Sequence, residues 1–250
     1  MKLKEIQKFM DEFLKISEIE DSSINGLQVE GKEEIKKICF AVDASMELFK
    51  LAKKENADMV FVHHGIIWNG IKKVVGVDYK RLKFLIKNRI SLYACHLPLD
   101  LHEEVGNNIQ FLKVFEIRKD IEKFGTYHGV KIGYKGKFDE EKKLSGFVKE
   151  IEEKLNTKCK ILNFGKKKIK SIGVVSGGAA SIINEAIDEV DCFVTGEISH
   201  QVYHLAKEGK VNVIFAGHYA TETLGVKAMA KFINEKFKIE TKFIDIPTGL

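Results

Sequence analysis

The chain reads as an α/β protein of two α/β domains, each with a mixed or parallel sheet flanked by helices. Three observations predict this. Short runs rich in Val, Ile and Phe alternate with helical segments along the chain. Its 250 residues suffice for two domains of ~100–150 residues each. A stretch punctuated by Gly125, Gly129, Gly133 and Gly136 interrupts the rhythm near the middle. The boundary is expected within 120–128, giving domains 1–124 and 125–250, with the last segment packing back on the first domain.

The elements follow in order. Leu3, Ile6, Met10, Phe13 and Leu14 share one helical face, so a helix opens the chain over 3–16. KKICFAV (36–42) reads as a strand, and Ser45 caps a helix reaching Asn56. DMVFV (58–62) is a second strand, ending at His63. A loop leads to a helix over 78–88, a strand over 90–95 ending at His96, and a shorter helix near 105–114. The second half begins with a short extended region. A helix over 139–155, strands near 158–164 and 170–175, and a helix to Glu189 come next. Strand 191–195, helix Ser199–Glu208, strand 211–216, a helix to Lys236 and a strand over 240–245 complete it. The halves share this rhythm without a convincing sequence repeat.

Hydrophobic residues make up 44%, which suits a folded core, and both charge signs are interspersed, which excludes disorder. Lys+Arg 41 against Asp+Glu 36 leaves only +5, too little by itself to indicate nucleic-acid binding. The basic residues are lysines apart from Arg81, Arg89 and Arg118, and a surface rich in Lys and Glu is thermophile-like. Cys39, Cys95, Cys159 and Cys192 form no C-x-x-C pair and read as reduced thiols of a cytoplasmic protein. No run approaches the ~20 apolar residues of a membrane span, so no membrane partner is expected.

The eight histidines carry the chemistry. His63, His96 and His218 each follow an expected buried strand, and ligands of open α/β sheets bind outside the carboxyl ends of strands. His63-His64-Gly65 offers two imidazoles that leave the strand in different directions. His96-Leu97-Pro98-Leu99-Asp100 presents a carboxylate on a loop stiffened by proline; Asp100 reads equally as a turn residue. His96 is either a ligand or a group contacting substrate or a ligand. His218 and Glu222 lie four apart on one helix face, although Glu222 also suits the helix dipole. Glu197 follows a strand and is a candidate general base. His200 and His204 form an i, i+4 pair that reads as exposed or facing substrate, with a metal pair as the lesser alternative. His63, His64, Asp100, His218 and Glu222 together supply three imidazoles and two carboxylates for two divalent ions. The donors fit zinc, iron, manganese or nickel. The expected cleft lies at the carboxyl ends of the strands, between the domains.

These segments resemble a known family. The matching stretches are Asn25-Gly26-Leu27-Gln28-Val29, Val42-Asp43-Ala44-Ser45, His63-His64-Gly65, His96 to Asp100, Ser176-Gly177-Gly178-Ala179, Thr195-Gly196-Glu197 and Gly217 to Glu222, in family order. The chain is similar to the type 2 GTP cyclohydrolase I homologues, also called Ngg-one-interacting-factor-three-like proteins, in the short form without an inserted domain. The resemblance implies the same five metal ligands and a toroidal homohexamer with its metal sites facing an internal cavity. Family members often carry proline where Gly65 stands. A segment usually containing arginine reads Gly125-Thr126-Tyr127-His128-Gly129 here.

Two function classes follow. One is a metal-dependent hydrolase of a nucleotide or related heterocycle, of GTP cyclohydrolase type, with water adding at C8 of the guanine ring and Glu197, His96 or His200 moving protons. No P-loop is present, and Gly177-Gly178 is only a weak phosphate cradle. The alternative is a ring that binds single- or double-stranded DNA without sequence specificity, through Lys80, Lys83 and Lys87 on one helix face and Lys166, Lys167, Lys168 and Lys170 in a second cluster. A metal-storage or trafficking role without turnover is compatible with the same ligands.

Overall fold

The computed structural model describes residues 1–71 and 73–250. The chain divides into two compact units, Met1–Val105 with Gly225–Ile246, and Gly106–Leu224 with Pro247–Leu250.

The first unit contains α1 (Leu3–Phe13), β1 (Gly26–Val29), β2 (Lys37–Asp43), α2 (Met46–Lys54), β3 (Met59–His64), α3 (Gly76–Asn88), β4 (Ser91–Ala94) and α4 (Leu97–Leu101). The second holds α5 (Asn107–Val114), β5 (Lys119–Tyr127), β6 (Val130–Lys143), α6 (Leu144–Leu155), β7 (Lys160–Asn163), β8 (Lys168–Val175), α7 (Ile183–Glu189), β9 (Cys192–Thr195), α8 (Val202–Glu208) and β10 (Asn212–Phe215). Helix α9 (His218–Phe237) starts in the second unit, and β11 (Glu240–Phe243) belongs to the first.

The first sheet has the order β1-β4-β3-β2-β11. Its strands are parallel except β1, which runs against β4. β2 and β3 are buried on both faces, which is why they read as continuous apolar runs rather than alternating ones. On one face Cys39, Ala41, Val60, Val62 and Leu92 meet Leu48, Phe49 and Ala52 of α2 and Leu85 of α3. Ser45 caps α2 as its residue type predicts, accepting from Leu48 N at 3.1 Å. Phe9 and Phe13 of α1 stack on Phe232 of α9, 6.1 and 4.4 Å between ring centres.

The second sheet has the order β5-β6-β8-β9-β10-β7. β8, β9 and β10 are parallel, whereas the outer strands run antiparallel to their neighbours. Here the structure departs from two expectations. The glycine-rich stretch is a long hairpin, closed at His128-Gly129 with both residues at positive φ, the geometry of a two-residue type I′ turn. Residues 139–143 continue β6 rather than opening a helix, because Lys142 and Lys143 pair with Ile169 and Lys168 of β8 beyond a bulge. The division between the units also falls at Val105/Gly106 rather than near 124. Helix α5 carries Ile109, Phe111 and Leu112 into the cluster built around Phe138, Ile172 and Ile214 of the second sheet and Phe147 of α6.

The units share a topology. The order β1-β4-β3-β2 in the first is matched by β7-β10-β9-β8 in the second, with the leading strand antiparallel in both. Asp58, just before β3, accepts from Lys36 N, Lys37 N and Lys32 Nζ. Asp191, just before β9, accepts from Lys170 N, Ser171 N and Lys166 Nζ. Gly31 and Gly165, each followed by the lysine concerned, lie against the backbone of 89–91 and 210–212, where a Cβ would come within 2.6 and 2.8 Å of the carbonyl oxygens of Arg89 and Lys210.

No helix among the described residues is long and apolar enough to cross a membrane.

Candidate metal centre

The chemistry of the first unit gathers at the carboxyl ends of β3 and β4. His63 and His64 close β3, and His96 follows β4 by two residues. Each imidazole is oriented by an oxygen at Nδ1. His63 donates to the Cys95 carbonyl at 2.9 Å, His64 to Asp43 Oδ1 at 2.8 Å, and His96 to Asp21 Oδ1 at 2.9 Å. A carbonyl or carboxylate cannot donate, so Nδ1 carries a proton, and in the neutral ring Nε2 is then the nitrogen with the lone pair. The three side chains bring one ring nitrogen each to within 4.8 Å of one another, close enough to hold a metal ion. Asp100, buried in the single-turn helix α4, sets Oδ2 3.5 Å from His63 Nε2. Pro98 therefore lies in a helical turn, not in a loop.

The loops around these residues are fastened by side chains. Gln28 Oε1 accepts from Ile66 N and Ile67 N, holding the segment after the paired histidines. Asn25 Oδ1 accepts from His96 N at 2.8 Å. Gly65 packs so tightly that a Cβ there would lie 2.5 Å from the Gln28 amide and 2.6 Å from the Ala94 methyl. Trp68, the one tryptophan of the chain, lies with its ring centre 5.1 Å from His96 and 6.1 Å from His64.

In the second unit His218 and Glu222 occupy the first turns of α9, Nε2 to Oε1 3.0 Å. Glu197 accepts from His218 Nδ1 at 2.6 Å, so it orients this imidazole as Asp43 orients His64. Burial alone would lower the pKa of His218, but hydrogen bonds and charge from Glu222 and then Glu197 outweigh it and raise it to about 9. The surroundings thus favour positive charge at this ring. Gly177, at φ +65°, makes room for the pair: a Cβ there would collide with the Glu222 carboxylate and lie 3.2 Å from His218 Nε2. Its N–H donates to Thr221 Oγ1, which assigns this glycine to packing rather than to a phosphate cradle.

In each unit, taken by itself, the donors suit a metal ion: imidazoles fixed through Nδ1 and a carboxylate with little exposure. His200 is exposed, and its carbonyl accepts from Tyr203 N. Lys80, Lys83 and Lys87 are exposed on α3, with Lys83 over the Tyr79 ring. Lys167, Lys168 and Lys170 are also exposed, while Lys166 is bound to Asp191 at 2.7 Å. Sequence reasoning missed Asp21 altogether, gave Asp43 no role at the site and read Gly177 only as part of a weak phosphate cradle. Asp43 had a signal: it ends β2, and parallel register places it beside His64. Asp21 lies in a loop whose only pattern is a side chain accepting from Ser23 N two residues on.

Residues 1–249 match the model of the Duf34/NIF3 (NGG1p interacting factor 3) family. A Pyrococcus horikoshii protein named GTP cyclohydrolase 1 type 2 homolog is 55% identical over 247 residues, 98% of each chain. Among solved structures, TTHA1606 from Thermus thermophilus has a TM-score of 0.89 at 36% identity over the whole of both chains. Reduced HcgD from Methanocaldococcus jannaschii has 0.85 at 28% identity, covering 98% of each.

Proposed function

The chain belongs to the Duf34/NIF3 family, and from that premise we propose that it is a di-metal protein acting as a metal-dependent hydrolase of a nucleotide or related heterocycle. The observation that carries the reading is the shared treatment of four histidines. His63, His64, His96 and His218 each have Nδ1 engaged by an oxygen, the arrangement that fixes the tautomer of metal-ligating imidazoles. The proposed ligands are His63, His64 and Asp100 from the first unit and His218 and Glu222 from the second.

A divalent ion held by such donors supplies Lewis acidity and lowers the pKa of water. The chain's own residues do the rest. Asp43 and Glu197 keep two imidazoles in one orientation. Gln28 and Asn25 hold the segments that bear His64 and His96. The Trp68 ring lies beside His64 and edge-on to His96, an aromatic neighbour suited to a flat heterocycle. The name borne by the Pyrococcus horikoshii relative favours a purine nucleotide as the first substrate to try.

The test is absorbance-monitored hydrolysis of purine nucleotides by the metal-loaded chain. We expect turnover that a chelator abolishes and that Glu222→Gln lowers by at least ~100-fold, in the range seen when a group stabilising transition-state charge is removed. Turnover indifferent to both would refute the reading.

A further inference from the structure

We propose that His96, fixed by Asp21, is a further metal ligand, a third imidazole donor of the first unit beyond the five side chains assigned above. The inference rests on the metal-centre reading and extends its donor set.

Three observations carry it. The first is proximity: His96 offers a ring nitrogen within 4.8 Å of those of His63 and His64. Nitrogens on one ion with bonds of ~2.0–2.1 Å lie about 3.4 Å apart, so small side-chain adjustments bring three together. The second is the tautomer. His96 Nδ1 bonds both oxygens of Asp21, at 2.9 and 3.1 Å, so the nitrogen it turns to its neighbours is Nε2. The third is the quality of the support. The Asp21 side chain is 2% exposed, and it also accepts from Leu97 N, Ser23 N and Asn25 Nδ2. Asn25 Oδ1 takes His96 N in turn. A carboxylate is costly to bury, and here its donors fix the ring and the backbone of one imidazole. A histidine needed only for an ion pair at the surface requires none of this.

Asp21 is thus a positioning residue that acts through His96. The ligand class follows from the donors. Three imidazoles and a carboxylate in one unit suit borderline ions such as zinc, iron(II), cobalt(II) or nickel over magnesium or calcium.

The test is titration of the full chain with Co2+ alone, followed by the visible d–d bands and by quenching of Trp68, the sole tryptophan and a neighbour of His96. His96→Ala is expected to weaken Co2+ binding by at least ~10-fold and to change the band pattern, and added imidazole should restore both. Rescue separates ligation from a mere folding role. Asp21→Asn should weaken binding by ~10-fold with the band pattern largely kept, as for loss of a partner behind a ligand. If His63→Ala loses Co2+ while His96→Ala binds it as the parent does, this inference fails and the metal centre stands. If the parent binds no Co2+, or His63→Ala binds it unchanged, the metal-centre reading fails and takes this one with it.

Discussion

At the scale of residues, His63, His96 and His218 were legible in the sequence because each follows an apolar run that reads as a buried strand. Their partners were not. Asp21 approaches His96 across 75 positions and the Cys95 carbonyl approaches His63 across 32, contacts that no local pattern encodes. The same holds for Asp58 and Asp191, whose carboxyls are held below the usual range. In both, burial alone would raise the pKa, but hydrogen bonds from Lys32 or Lys166 and from two backbone amides outweigh it. A folded pKa below the unfolded value of ~3.9 adds stability that is complete above that value and is lost as pH falls through the lowered one. Asp191→Asn should therefore destabilise by about 1–3 kcal/mol at pH 7. Urea unfolding as a function of pH checks this: the gap to the parent should narrow below about pH 4. A gap independent of pH would assign the loss to packing.

At the scale of elements, the central strands and the helices around them follow from hydrophobic period, since β2 and β3 are covered on both faces and have no polar alternation to confuse the reading. The β5–β6 hairpin was harder. Its residues 139–143 are Asp-Glu-Glu-Lys-Lys, of which the Glu and Lys residues are good helix formers, and pairing with β8 overrides that propensity. The topological repeat also leaves a trace that only the structure reveals. Gly31-Lys32, Ile35-Lys36 and Ile38 recur as Gly165-Lys166, Ile169-Lys170 and Ile172. The glycines are required by close backbone approach, so Gly31→Ala and Gly165→Ala should each destabilise by about 1–3 kcal/mol. Gly146, in the first turn of α6 with open space at its Cβ position, provides the contrast. Gly146→Ala should be neutral or stabilise by up to ~1 kcal/mol. Thermal or urea unfolding of the three variants checks the set, and equal effects at all three would contradict the packing account.

At the scale of the molecule, the two-unit α/β architecture was legible from the alternation of elements. The position of the division was not, because α5 joins the second core through Ile109, Phe111 and Leu112 although it follows the first unit in sequence. The resemblance also implied a homohexamer, which sedimentation should register as a species of about six times 28.4 kDa. If the exposed lysines of α3 serve DNA, complex formation in the same experiment should fall steeply between low and physiological salt. A monomer, or DNA binding indifferent to salt, would remove the ring-like alternative.

The metal centre is the claim on which the functional account stands. Mass spectrometry of metal content after exhaustive dialysis tests it most directly, on the parent and on the double variant His63→Ala with His218→Ala. The account predicts about two ions per chain in the parent and almost none in the double variant. Equal metal in both proteins, or none retained by the parent, would contradict it.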